Sequence, residues 1–147
     1  GKINEDEAII HKLINNVKKV VYTPCKYYYY YQRPGSIMND YKERNLGVFE
    51  WFFERGKFFR ENGFTKLDAY NNYMICFQST FHYNKVRKLG EKYDIIKKNL
   101  KKQIKEYGKL VEKSKDNTFF QKFVVSCFML SSYTLIVFSK VNSILKK

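Results

Sequence analysis

The 147-residue sequence predicts an all-α fold, with about four amphipathic helices followed by one C-terminal transmembrane helix. Three observations carry that expectation. Apolar residues recur at three-and-four spacing along most of the chain, no stretch keeps the period of two that a strand needs, and Phe123 to Ser139 contain no charged residue.

Asn4 followed by Glu5, Asp6 and Glu7 starts a first helix, because acids are favourable at the positive end of the helix dipole. Ile9, Ile10, Leu13, Ile14, Val17, Val20 and Val21 extend it to about Tyr22, and Pro24 ends it. Tyr27 to Tyr31 have no period, and Arg33-Pro34-Gly35 reads as a turn. A second helix is expected from Ser36, carrying Met38, Tyr41, Phe49, Trp51, Phe52, Phe53, Phe58 and Phe59, with weak points at Gly47 and Gly56. After Asn62-Gly63, Thr65 and Asp68 stand at capping-box spacing, and Leu67, Tyr70, Met74, Phe77 and Phe81 form a coiled-coil-like seam on a third helix. Gly90 interrupts this helix or bends one long rod, and Tyr93, Ile96, Leu100, Ile104, Tyr107 and Val111 mark one stripe of a fourth.

The uncharged segment covers seventeen residues, roughly 25 Å of helix, and Phe119 and Phe120 lengthen it toward the ~30 Å of a bilayer core. The expected membrane contacts are Phe123, Val124, Val125, Phe128, Met129, Leu130, Leu135, Ile136, Val137 and Phe138. Ser131, Ser132 and Thr134 are expected to bond a neighbouring helix. Asp116, Asn117 and Thr118 offer caps at one end, and Lys140, Lys146 and Lys147 follow the other. The domain reading is therefore a basic helical part over 1–115 and a membrane helix with a short tail over 116–147. Between Lys85 and Lys122 there are thirteen Lys or Arg against five Asp or Glu, and only three Lys lie beyond Ser139. By the positive-inside tendency, the N-terminal part faces the cytosol or the mitochondrial matrix, with the inner mitochondrial membrane the first expectation. A span so close to the end is expected to insert as a tail anchor.

Apolar residues make up 44% of the chain and aromatic residues 18%, which suits a folded core and excludes a disordered chain. The net charge of +14 points to an anionic neighbour. Lys97, Lys98, Lys101, Lys102, Lys105 and Lys109 wrap the polar side of the fourth helix and are expected to meet lipid headgroups or another anionic partner. Phe49, Trp51, Phe52 and Phe53 are expected to face a partner, although core burial of these rings is the commoner outcome for such a pattern.

Little in the sequence suggests catalysis. Cys25, Cys76 and Cys127 form no C-x-x-C pair and read as structural thiols. His11 and His82 have no companions at ligand spacing, and no phosphate-cradling or nucleophile motif is present. The expectation is a non-enzymatic chain with no metal, cofactor or small-molecule substrate. It would act as an accessory subunit or regulator of a larger membrane complex, first a respiratory-chain or ATP-synthase complex and second an ion-pumping ATPase. The alternative is a soluble basic nucleic-acid-binding or ribosomal protein, against which Lys outnumbers Arg 23 to 5.

Gly63-Phe64-Thr65-Lys66-Leu67-Asp68-Ala69 followed by Tyr73-Met74 resembles the start of the last helix of acyl-CoA-binding domains, and Tyr41-Lys42 is similar to the Tyr-Lys that such domains place on their ligand. The single Trp51 lies outside the register of that family's W-x-x-W. The resemblance implies a helical domain that binds a long-chain acyl-CoA.

Overall fold

The computed structural model describes residues 5–29, 31, 43–131 and 134, and among them every regular element is helical, as the sequence predicts. The chain divides into two units, Gly1–Trp51 and Phe52–Lys147. In the first, α1 spans Glu5–Asn16 and stops six residues short of the expected Tyr22. Asn15 and Asn16 are poor helix formers, and the β-branched Val17, Val20 and Val21 that follow are exposed, so no packing offsets their low propensity. Ser36, Met38 and Tyr41 lie outside the described residues. A 3-10 turn over Glu43–Gly47 leads into α2, Val48–Glu61.

The second unit contains α2 from Phe52 onward, α3 (Thr65–Val86), a 3-10 turn (Glu91–Tyr93), α4 (Asp94–Lys113) and α5 (Phe119–Leu130). Helix α2 ends as Asn62-Gly63 suggests. Gly63 takes a left-handed φ of 72°, its N–H donates to the Arg60 carbonyl at 3.2 Å, and the Phe64 N–H donates to the Phe59 carbonyl at 2.8 Å. This is the paired bonding of a Schellman motif, with the Phe59 and Phe64 rings 6.4 Å apart as its apolar contact. The expected Thr65–Asp68 capping box does not form. Phe64 is the N-cap and supplies no side-chain bond, while Asp68 lies 2.7 Å from Arg60 and ties α3 back to α2.

Gly90 separates two helices that run antiparallel, as three cross-helix contacts show. Cys76 Sγ lies 3.6 Å from the Ile104 carbonyl, Ser79 Oγ 3.0 Å from Gln103 Oε1, and Lys101 Nζ 5.2 Å from the Tyr83 ring centroid. Helix α5 then returns alongside both. Its start is a complete capping box, with Gln121 N–H donating to Thr118 Oγ1 at 3.2 Å and Thr118 N–H donating to Gln121 Oε1 at 2.9 Å. Asn117 is buried and donates to the Ala69 carbonyl at 3.1 Å, which fixes the α4–α5 turn against the first turns of α3.

The face that α3 buries differs from the expected seam. Ala69, Asn71, Ile75, Cys76, Ser79, Thr80, His82 and Val86 are buried, whereas Leu67, Tyr70 and Phe81 are exposed and Tyr73, Met74 and Phe77 are half-buried. Small or hydrogen-bonded side chains allow close helix approach, and Thr80 satisfies itself by donating to the Cys76 carbonyl at 2.9 Å. Helix α4 follows its predicted stripe at Leu100, Ile104 and Val111, with Tyr93, Ile96 and Tyr107 partly covered. The core joins Cys76, Ile104 and Val111 to Val124, Val125 and Phe128.

That core corrects the transmembrane expectation over the described residues. Helix α5 is 12 residues long and ends at Leu130, because Ser131 is extended at φ −154°, ψ 118°. Phe128 is 2% exposed within the bundle, and the hydroxyl of Ser126 points to Glu112 Oε1 at 2.7 Å. Burying Val125 and Phe128 here is worth about 1.5–3 kcal/mol for each side chain, so the apolar face that lipid was expected to cover is covered by α3 and α4. No helix among the described residues is long and apolar enough to cross a membrane. Leu135, Ile136, Val137 and Phe138 lie outside those residues.

Gly56 is a packing site and does not weaken α2. A Cβ there would come within 2.8 Å of Asn71 Nδ2, which donates to the Phe52 carbonyl at 2.9 Å, while Asn71 Oδ1 accepts from Arg55 Nε at 2.9 Å. Gly56→Ala is therefore expected to destabilise the protein by about 1–3 kcal/mol, and Gly63→Ala by about 1–2 kcal/mol through left-handed strain. Urea unfolding monitored by circular dichroism measures both.

Candidate functional site

Helix α4 places its lysines by simple periodicity. Leu100, Ile104, Gly108 and Val111 turn inward, so Lys98, Lys101, Lys102 and Lys105, at positions i, i+3, i+4 and i+7, share an outer face, with Lys109 continuing it. Lys97 has another role. Its ammonium lies 2.8 Å from Asp94 Oδ1 and 3.5 Å from the Gly90 carbonyl, where it closes the turn into α4. Lys102 shares an exposed pair with Glu106 at 3.7 Å, a geometry that contributes little in water.

The Lys98, Lys101, Lys102 and Lys105 side chains border a groove of about 820 Å³ between α4, Tyr83 of α3 and the last turn of α5. Its apolar lining comes from Ile104, Phe128, Met129 and Leu130, and among the described residues no carboxylate lines it. Met129 is held against Gly108, where an added Cβ would lie 2.6 Å from its sulfur. Lys101 rests over the Tyr83 ring, a cation–π contact that keeps its ammonium at the rim. The lysine spacing was legible in the sequence. Tyr83 and the α5 wall were not, because nothing local indicates that α5 stops at Leu130 and leaves it 88% exposed beside α4.

The other expected contacts are scattered. Phe49 and Phe52 are buried inside the protein, so they are not offered to a partner; Trp51 is half-buried. Phe53 remains 38% exposed and stacks on Tyr107 at 6.0 Å. Of the expected span, Val124, Val125 and Phe128 are core residues, Met129 is half-buried, and Phe123 and Leu130 are exposed. Among the hydroxyls, Thr134 donates to the Ser131 carbonyl at 2.7 Å, and Ser132 lies outside the described residues. Tyr41 and Lys42, which carried part of the acyl-CoA-binding resemblance, also lie outside them.

Burial rather than an adjacent charge governs the titratable groups of the bundle. It pushes the Cys76 thiol up to about 12, with the nearby Glu112 adding to the shift. Burial, helped by Lys85, lowers His82 to about 4. Cys25 is fully exposed, and hydrogen bonds from Thr23 and then Tyr27 lower its thiol below the ordinary value. Among the described residues no three His, Cys, Asp or Glu side chains gather as a metal site. The chain matches no family model, no curated protein and no solved structure.

Two outcomes follow from these environments. In the unfolded chain His82 takes its proton near pH 6.5, and in the folded protein only near about 4. The folded state thus binds fewer protons in that window and loses stability as pH falls through it, by on the order of 2–3 kcal/mol. Urea midpoints measured between pH 7 and pH 4 should fall less steeply in His82→Gln. Alkylation followed by mass spectrometry should modify exposed Cys25 first and the half-buried Cys127 more slowly, with Cys76 reacting only on unfolding.

Proposed function

We propose that this chain is a non-catalytic accessory subunit of a larger protein assembly, held by its N-terminal region. The observation that carries the reading is the apolar side of α1. Ile9, Ile10, Leu13 and Ile14 are all exposed on one face, and exposed Val17, Val20, Val21 and Tyr22 follow. A contiguous apolar surface of this kind is costly in water unless another molecule covers it. The cationic surface of α4 favours an assembly at a membrane, with respiratory-chain or ATP-synthase complexes the first to examine and an ion-pumping ATPase the second.

The test is native electrophoresis of gently solubilised membranes containing the tagged full chain. The tag should migrate with a large complex, and the paired change Ile10→Asp and Leu13→Asp should shift most of it to the free chain. Migration as a free chain before any substitution would sink the proposal. Collapse of the complex on nuclease treatment would favour the nucleic-acid reading instead.

A further inference from the structure

We infer that the groove between α4 and α5 binds a single-chain lipid that carries an anionic phosphate headgroup. This inference does not depend on the accessory-subunit reading, which rests on α1.

The argument begins with charge. Lys98, Lys101, Lys102 and Lys105 line the groove, and among the described residues no Asp or Glu lines it to neutralise them. Lys102 lies 3.7 Å from Glu106, with both side chains more than half exposed. Lysine is a mobile point charge and suits a phosphate that approaches from solvent, whereas planar recognition of a base would favour arginine, which is absent from the described lining residues. A headgroup alone would not account for the rest of the cavity. The groove is also lined by Ile104, Phe128, Met129 and Leu130, and Leu130, the last residue of α5, is 88% exposed. An aliphatic chain laid along Met129 and Leu130 would remove that surface from water while its phosphate stayed among the lysines. The volume of about 820 Å³ falls in the range of small-molecule sites and accommodates one acyl chain. The close contact of Met129 with Gly108 gives the floor an unbranched thioether that can adjust to such a chain. Nucleic acid fits less well, since an apolar floor cannot satisfy a second phosphate along a strand.

The experiment is calorimetric titration of the purified full chain with lauroyl lysophosphatidate below its micelle-forming concentration, with native mass spectrometry for stoichiometry. Binding is expected to be saturable and one to one. The triple change Lys98→Ala, Lys101→Ala and Lys105→Ala should weaken it at least tenfold, and so should Leu130→Asp. All four side chains are exposed, and unchanged thermal unfolding would show that the fold persists. Glycerol 3-phosphate, which lacks the chain, and monolauroylglycerol, which lacks the phosphate, should each bind at least tenfold more weakly. The inference is overturned if no lipid binds, if either fragment binds as tightly as the lipid, if the triple variant binds normally, or if a short oligonucleotide binds through the same lysines more tightly than the lipid.

Discussion

The bundle depends on one constraint, namely that α3 must bring its backbone close to α4 while its side chains also tie it to α2. It does so by turning inward a face of small or hydrogen-bonded side chains, including Ala69, Asn71, Cys76, Ser79 and Thr80. Asn71 fills the space opposite Gly56 and bonds the α2 backbone, while Cys76 and Ser79 meet α4. A bulky seam would hold the helices further apart and leave those polar groups without partners, at a cost of about 1–3 kcal/mol for each buried group. The aromatic side chains of α3 are consequently displaced to the flanks, where Tyr73, Phe77 and Tyr83 pack around the core instead of forming its centre.

With α2 and α4 fixed in this way, α5 closes the remaining side. Its apolar residues serve two purposes. Val124, Val125 and Phe128 complete the interior, whereas Phe119, Phe120, Phe123 and Leu130 remain on the surface. The same helix therefore finishes the core and supplies one wall of the groove. At its last turn the α4 lysines stand beside the apolar side chains of Met129 and Leu130.

The charge excess is concentrated where the fold can tolerate it. Lys97 pairs with Asp94 and Arg60 with Asp68, at turns that join helices, so these cations also hold the structure together. The remaining α4 lysines project into water, where screening keeps their mutual repulsion small. The apolar surface of α1 is a separate matter, since it lies in the other unit and has its own chemistry. The two surfaces invite different partners: one would cover aliphatic side chains, and the other would neutralise ammonium groups.

The sequence by itself determined the helical class, the Gly63 stop, a start for the last helix among Asp116, Asn117 and Thr118, and the inward stripe of α4, because caps and three-and-four periodicity are local properties of a chain. It also revealed the lysine face of α4 at its observed spacing. Tertiary structure decided what periodicity cannot encode. Apolar residues from Phe123 to Phe128 look alike whether lipid or protein surrounds them, and only the positions of Cys76, Ile104 and Val111 made Phe128 a core residue. Likewise, both faces of α3 are mixed in polarity, so hydrophobicity favoured the bulky seam while close packing selected the small one. The groove was invisible for the same physical reason. Its walls come from three helices, and no single stretch of sequence records the distance between them.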